Sequence, residues 1–540
     1  MNVLGIHGGV TINQHEPSAA IAVDGKIVAA CEEERYLRVK SAYGHLPERA
    51  IAACLKQAAM TWDDIDMVVS PGATYADHAG RVRDFLRHTF GSCPKFELVH
   101  HQAAHLAAAF YGSGYDTALV LSLDATGDGS CGFLAHASRR DGISVLEEIP
   151  TKRSIGFFYT MMTHYLGFTD GDEYKVMGLA PYGRPSVDLR RVIRPAAGGW
   201  QFDFDFIRSD PRPRSPFEPL YAARLIEVLG RPNRRPGEPV DDFHRDVACS
   251  AQRVFEECLL NLVDDLISRR PGVRNLCFAG GVALNCSANR RLLYSGKFDN
   301  IYVPPAASDR GLAIGCAYMG AVGAGQGTWP LYRPDLGSAY ADDAVRGELD
   351  ANGIPFEETP DPAAAAAKLI AEGAIIGWYQ GRSEIGARAL GNRSVLAAAS
   401  DPAMKEKVNA RIKYREEFRP FAPAILHEAA ADYFKTTGAA LPFMCFTVDA
   451  TEKASKTLKA VIHVDDTARV QTVRSTDNEL FYALLKNYAE DGGVPAVLNT
   501  SFNLKGQPIV ETPRDALMTF FGCGLDALVI GNHVVRKRSH

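Results

Sequence analysis

No two of the chain's eleven cysteines stand as a Cys-x-x-Cys pair. Zinc ribbons and thioredoxin-like centres need that spacing, and the scatter is not that of a disulfide-bonded secreted scaffold. Free thiols in a reducing cytoplasm are therefore expected. No stretch approaches the ~20 consecutive apolar residues of a spanning helix. The opening MNVLGIHGGV turns polar too soon to be a secretory leader, so no membrane association is expected. Positive charge is not in excess either. Lys and Arg number 59 against 64 Asp and Glu, a formal net charge of -5, which argues against a surface built to grip nucleic acid. A local basic cleft is still compatible with that balance. No solenoid-type repeat is present.

At 540 residues the chain is too long for a single core, and two or three domains are expected. Residues 2–6 and 19–23 are β-rich runs, and the second ends at Asp24-Gly25 before another apolar run, 26–30. This predicts a hairpin. An amphipathic helix is predicted over 47–59 and a buried strand over 66–70. Residues 117–123 should form a strand closing at Asp124, 247–267 a long helix, and 275–279 a strand entering Gly280-Gly281. Strands alternating with helices indicate an α/β fold. Composition shifts between about 324 and 350, where prolines, glycines and tyrosines gather, and the main domain boundary is placed there. Beyond it, a helix is predicted over 362–372 and strands over 374–379, 495–499 and 526–531. The Pro- and Arg-rich region 191–238 reads as an insertion rather than core.

The segment VHHQAAHLAAAF, residues 99–110, holds three histidines in six positions. On a helix, His101 and His105 lie on one face, about 40° apart around the axis, and could converge on one ion. His100 projects about 100° away from His101. The plainer alternative is a buried histidine pair on a packing helix. Asp124 opens Asp124-Ala125-Thr126-Gly127-Asp128-Gly129, and Asp309 opens Asp309-Arg310-Gly311. Aspartates before glycine-rich turns suit phosphate or metal chemistry, but aspartate is also a common cap and turn residue. Two histidines with one or two carboxylates suit a divalent iron-type site. Gly280-Gly281-Val282-Ala283-Leu284-Asn285 follows a strand and precedes a predicted helix. Its glycines would let a nucleotide or phosphate approach the backbone, or would simply make a tight turn. Arg388, Arg393, Lys413, Arg415 and Arg419 crowd two short segments, as an anion site or a solvated basic surface.

These motifs, with His15-Glu16-Pro17-Ser18, Glu32-Glu33-Glu34-Arg35, Glu173-Tyr174-Lys175-Val176-Met177-Gly178, Gly386 to Ser394 and Leu498-Asn499-Thr500-Ser501-Phe502-Asn503, occur in one order along nearly the whole chain. In that order the sequence resembles the carbamoyltransferase family of the tobramycin and nodulation O-carbamoyltransferase type. The resemblance implies an actin-like N-terminal domain (the ASKHA class, similar to the TsaD transferase of tRNA threonylcarbamoylation) over 1–335. It implies an α/β YrdC-like domain over 350–540. It further implies that carbamoyl phosphate and ATP, with Mg2+, give a carbamoyl-adenylate in the C-terminal domain, and that a hydroxyl of a small natural product or sugar takes the carbamoyl group beside Fe2+ or another divalent metal.

By the same resemblance, His15 matches the catalytic histidine, a candidate general base, and His101, His105, Asp124 and Asp309 would hold the metal. Lys413, Arg388 and Arg419 match adenylate-binding positions, and Ser501 and Asn499 lie in the matching loop. Gly280, Gly281 and Asn285 are further nucleotide-binding candidates. A homo-oligomer is compatible with this picture. Two positions depart from the family: Glu16 follows His15 where His-Asp is common, and Ser41 follows Lys40 where a histidine is common. Both put the acceptor's identity in doubt. A hydrogenase-maturation carbamoyltransferase would also need Cys-x-x-Cys fingers. An actin-like kinase or ATPase would leave the arginine-rich half unused. A tRNA-modifying role is disfavoured by the negative charge.

Overall fold

The computed structural model describes residues 1–9, 14–208 and 219–537. Thr11 to Asn13 of the polar opening and residues 209–218 of the expected insertion lie outside the described residues. The fold is mixed α/β with several sheets, in two compact units. The first comprises Met1–Ser70, Gly80–Glu97 and Asp309–His540, and the second Pro71–Ala79 and Leu98–Ser308.

The first unit begins with a five-stranded sheet ordered Lys26–Glu32, Ser18–Val23, Asn2–His7, Met67–Pro71, Lys95–Val99. The predicted hairpin turns at Asp24 and Gly25, both at positive φ, which suits the twist of the flanking antiparallel strands. One face of the sheet packs Leu4, Ile6 and Ile21 against Ile51, Cys54 and Leu55 of helix Glu48–Gln57. Helix Leu312–Gly323 packs against strand Asn2–His7. Only small residues permit this approach: a Cβ on Gly5 would lie 1.9 Å from the Ala313 carbonyl oxygen, and one on Gly320 would lie 2.6 Å from Val3.

The same unit contains an eight-stranded sheet ordered Glu357–Glu358, His533–Arg536, Ala527–Ile530, Ile376–Tyr379, Arg393–Ala398, Ala496–Ser501, Ala422–Leu426, Gln471–Val473. The expected helix is found at Pro362–Ala371, entered through proline after the Asp361 cap, and the expected strands at Ile376–Tyr379, Ala496–Ser501 and Ala527–Ile530. Every residue of strands Ile376–Tyr379 and Ala422–Leu426 is buried, which explains their apolar sequence.

The second unit has a sheet ordered Asn300–Tyr302, Asn275–Ala279, Thr117–Gly127, Ser130–Ser138, Gly142–Pro150. Strand Thr117–Gly127 corrects the expectation of a strand closing at Asp124. Pairing to the next strand jumps from Leu123–Gly132 to Gly127–Ser130, so Asp124, Ala125 and Thr126 form a bulge within a continuing strand. A bulge frees these residues from the ladder and re-aims their side chains. Helix Asp242–Arg269 outlasts its predicted span at both ends and starts in an Asp241–His244 capping box. The region read as an insertion is also corrected. Trp200, Phe206 and Leu225 are buried, and the Asn261 side chain of the long helix donates to the carbonyls of Ala196 and Gly199.

Candidate metal centre and anion pocket

His101 and His105 sit in the first turns of helix His101–Ser113, as the spacing predicts. His100 precedes them as N-cap, its Nδ1 accepting from the Gln102 amide at 3.1 Å, while its ring stacks on Phe133. It thus does local structural work. The two helical rings meet edge to face with centroids 4.8 Å apart. Asp124 Oδ2 lies 3.5 Å from His101 Nε2 and 3.2 Å from His105 Nε2. One ligand atom from each residue lies within 4.8 Å of the others. Two imidazole nitrogens and a carboxylate oxygen at that spacing fit a divalent cation of the iron type.

The surroundings hold this trio in place. Asp128, at positive φ, accepts from the His101 amide at 2.7 Å, from the Thr74 hydroxyl at 2.8 Å and from the Gly72 amide at 3.1 Å. Burial works against its charge, but the hydrogen bonds from His101 and Thr74 prevail and hold its carboxyl below the ordinary range. Asp124 Oδ1 accepts from the Ala125 amide at 2.7 Å, which leaves Oδ2 toward the histidines. Glycine is required around it. A Cβ on Gly127 would stand 2.3 Å from the His101 ring, and one on Gly156 2.7 Å from the Asp124 carbonyl oxygen.

Gly280 and Gly281 acquire a packing reason here. Gly280 has φ +90, and a Cβ there would lie 2.0 Å from the Leu123 carbonyl oxygen; one on Gly281 would lie 3.0 Å from Asp124 Oδ1. Asn285 caps helix Cys286–Leu293 and exchanges two 3.0 Å hydrogen bonds with Gln252. Gly280 and Gly281 thus shape the turn beside Asp124, and Asn285 starts the helix that follows.

In the first unit, Asp309 starts the segment that follows Ser308, and its Oδ2 lies 3.6 Å from His7 Nε2. The same His7 nitrogen lies 3.0 Å from the carbonyl oxygen of His15, and the half-buried His15 ring packs edge-on to Tyr43. The next residue, Glu16, has φ 57, and its amide donates to the carbonyl of Ser41 at 2.8 Å. The two positions that depart from the family are thus bonded to each other. Glu16 also binds Arg310 at 2.9 Å, and Arg310 binds Glu32 and, at 2.7 Å, Glu34. Glu32 in turn accepts from the Gly386 amide at 2.7 Å and from Arg35 at 3.1 Å. Burial opposes the charge on Arg310, but Glu16, Glu34 and Glu32 raise its pKa well above the usual value. This network was not singled out from the sequence. Its one signal is a run of four charges, Glu32 to Arg35, straight after an apolar strand.

Lys413 ends a π-helical turn, Asn409–Lys413, which breaks the helix before Tyr414 at positive φ. Its Nζ contacts the carbonyl and hydroxyl oxygens of Ser501 and the carbonyl and side-chain oxygens of Asn503, the last at 2.8 Å. Those oxygens are all uncharged. Burial, joined by repulsion from Arg415 and Arg419, pushes the Lys413 ammonium well below the usual lysine range. A buried cation with further cations beside it gains from an anion. Ser501 is thus brought to Lys413, together with Asn503, which sequence reasoning quoted in its motif without assigning a role. Arg419 lies 3.5 Å from Glu416, and Arg388 is half-buried in the 386–392 loop. Asn499 is buried and bonds Gln471 at 2.9 Å and the Ala389 carbonyl at 3.3 Å, bracing that loop. Arg393 does not belong with the anion ligands. It is wholly buried, donates to the carbonyls of Gln380, Asn392 and Gly381, and lies 3.7 Å over the Tyr379 ring.

The molecule is an α/β protein with a candidate metal centre in one unit and a candidate anion site in the other. Comparison with known families makes the assignment specific. Residues 83–318 match the carbamoyltransferase N-terminus and residues 367–537 the carbamoyltransferase C-terminus. The chain belongs to the carbamoyltransferase family and is a transferase, as the motifs implied. It is 38% identical to nodulation protein NolNO of Sinorhizobium fredii, over 97% of this chain and 79% of the relative. It is 39% identical to nodulation protein NolO of Bradyrhizobium diazoefficiens, over 82% and 79%. It is 30% identical to an uncharacterized protein of Methanocaldococcus jannaschii, over 99% of both chains. The crystal structure of HypF from T. kodakarensis aligns with 60% of this chain and 48% of that one at 14% identity and a TM-score of 0.34, too weak a likeness to carry an argument. All eleven cysteines are free, and among the described residues no helix is long and apolar enough to cross a membrane.

Proposed function

We propose that the protein is an ATP-dependent O-carbamoyltransferase with two reaction sites. Residues 350–540, a YrdC-like domain, activate the carbamoyl group. Residues 1–335, an actin-like domain, pass it to a hydroxyl of a small natural product or sugar. The substrates are carbamoyl phosphate, ATP with Mg2+ and the hydroxyl acceptor. The setting is the cytoplasm.

Lys413 is the observation that carries the reading. A buried lysine held by neutral oxygens, with Arg415 and Arg419 close enough to depress it, is matched to phosphate oxygens. Arg388 and Arg419 add planar cations, and Ser501 and Asn499 fix the loop. Carbamoyl phosphate, ATP and one water balance to carbamoyl-AMP, phosphate and pyrophosphate. The C–O–P link of carbamoyl phosphate is first broken by water to give carbamate, whose oxygen then displaces pyrophosphate from the α-phosphorus. Carbamate is a poor electrophile, and joining it to AMP supplies a good leaving group. In transfer, the acceptor oxygen attacks the carbamoyl carbon, AMP leaves, and His15 takes the hydroxyl proton. His101, His105 and Asp124 would hold Fe2+ or another divalent ion. Such an ion supplies Lewis acidity toward a carbonyl or phosphate oxygen.

The two sites are separable by mutation. Lys413→Ala should abolish carbamoyl-AMP formation from carbamoyl phosphate and labelled ATP while leaving bound metal unchanged. His105→Ala should lose metal and transfer while still forming carbamoyl-AMP. Normal carbamoyl-AMP formation by Lys413→Ala would refute the assignment.

A further inference from the structure

The loop 386–392, which carries Arg388, is held at its two ends by different parts of the first unit. Its later half is braced from nearby. Glu384 Oε1 accepts from the Leu390 amide at 2.6 Å, Asn499 donates to the Ala389 carbonyl at 3.3 Å, and Trp378 Nε1 donates to the Gly391 carbonyl at 2.7 Å. Its entry is held by residues more than 350 positions earlier. Gly386, at φ +107, donates its amide to Glu32 Oε1 at 2.7 Å, and its carbonyl accepts from Arg35 Nη2 at 2.9 Å. The same Arg35 nitrogen donates to Glu32 Oε1 at 3.1 Å, which closes a ring of three residues. Both side chains are almost wholly buried, at 2% and 3% exposure for Glu32 and Arg35. The other Glu32 oxygen, Oε2, is bound by Arg310, which also reaches Glu16 and Glu34. Two guanidinium groups thus fix the direction of this carboxylate as well as bind it.

We propose that Glu32 is a positioning residue for adenylate binding: it seats the entry of the 386–392 loop and so sets where Arg388 stands, two residues on. The proposal rests on the function above, in which Arg388 is a planar cation for the adenylate. A guanidinium recognises phosphate through a fork of fixed geometry, and its long side chain is aimed only as well as the backbone that carries it. A misplacement of about 1 Å is enough to spoil such a contact. The ion network around Arg310 then has a use beyond stability, because it makes Glu32 a fixed point against which the loop is set. Glu33, the next residue in the charged run, has a different duty. Its carboxylate accepts from the Arg49 and Ala50 amides at 3.2 and 2.7 Å and makes no bond to the loop.

The test is AMP binding to the full chain by titration calorimetry, arranged as a double-mutant cycle. Arg388→Ala should weaken AMP. Glu32→Gln should also weaken it, by about fivefold or more. A glutamine side chain has one acceptor oxygen, the charge of Arg310 claims it, and the Gly386 amide is left facing an NH2 group. Added to Arg388→Ala, Glu32→Gln should cost nothing further, since the residue it positions is already gone. A general loss of stability would not cancel in this way. Glu32→Asp keeps the charge but is one methylene too short to reach both Gly386 and Arg310, so it should reproduce the loss, and it serves if the glutamine variant does not fold. Glu33→Gln is the control and should bind AMP as the wild type does. Wild-type affinity in the Glu32 variants, or losses that multiply in the double variant, would overturn the proposal. Wild-type affinity in Arg388→Ala would instead fault the adenylate assignment, and the positioning role with it.

Discussion

Gly127→Ala is the substitution that tests most sharply whether the histidine trio is built as a metal site, because it alters none of the ligands. The added Cβ would stand 2.3 Å from His101 Cγ and Cδ2 and 2.6 Å from Nε2. Carbon atoms settle at about 3.5–4.0 Å, so the ring must retreat by roughly 1 Å. His101 Nε2 lies 3.5 Å from Asp124 Oδ2, and its amide is fixed by Asp128, so the ring cannot follow by moving the helix. Disturbing groups that orient a ligand costs about 10–100-fold in metal affinity, and that is the expected loss. Gly129→Ala is the control. Gly129, unlike Gly127, has a positive φ, +87, but a Cβ there meets open space, so the change should cost about 1 kcal/mol of stability and leave metal affinity alone. The assay is anaerobic Fe(II) titration against a competing chromophoric chelator. Wild-type affinity in Gly127→Ala would refute the reasoning, since the ring would then not be where metal binding needs it.

Other consequences can be measured. Arg310→Met leaves Glu16, Glu32 and Glu34 without their shared cation, so the melting temperature should fall with a loss of about 3–5 kcal/mol; adding Glu34→Gln should restore part of it. A loss too small to detect would mean that the network contributes no stability. Burial raises the Glu33 carboxyl from 4.5 to about 7, against the hydrogen bonds it accepts from the Ala50 and Arg49 amides. The folded chain therefore keeps a proton that the unfolded chain releases, and between about pH 4.5 and 7 stability falls as pH rises, by on the order of 3 kcal/mol. Glu33→Gln should lack that slope, so the wild-type minus variant difference in stability should itself fall as pH rises across this range; a difference independent of pH would contradict it.

Local pattern made much of this molecule legible. Strand Asn275–Ala279, helix Cys286–Leu293 and the Asp24-Gly25 hairpin follow from apolar runs and turn residues within ten positions of each other. His101 and His105 were readable because helical spacing places them on one face. The bulge at Asp124 was not, because it arises from the register of pairing with Ser130–Ser138. Arg310 could not be tied to Glu32 or Glu34, more than 270 positions away. Arg393 misled for a related reason: an arginine among glycines reads as an anion ligand, and only the fold shows its guanidinium spent on carbonyls beneath Tyr379. Trp200 and Phe206 were hidden by the prolines and arginines around them.

The most direct test of the account is the fate of the nucleotide. Purified protein is incubated with α-labelled ATP, Mg2+ and carbamoyl phosphate, without an acceptor, and the products are separated. The account predicts pyrophosphate with carbamoyl-AMP or AMP, dependent on carbamoyl phosphate and on Lys413. ADP and phosphate, formed whether or not carbamoyl phosphate is present, would contradict it.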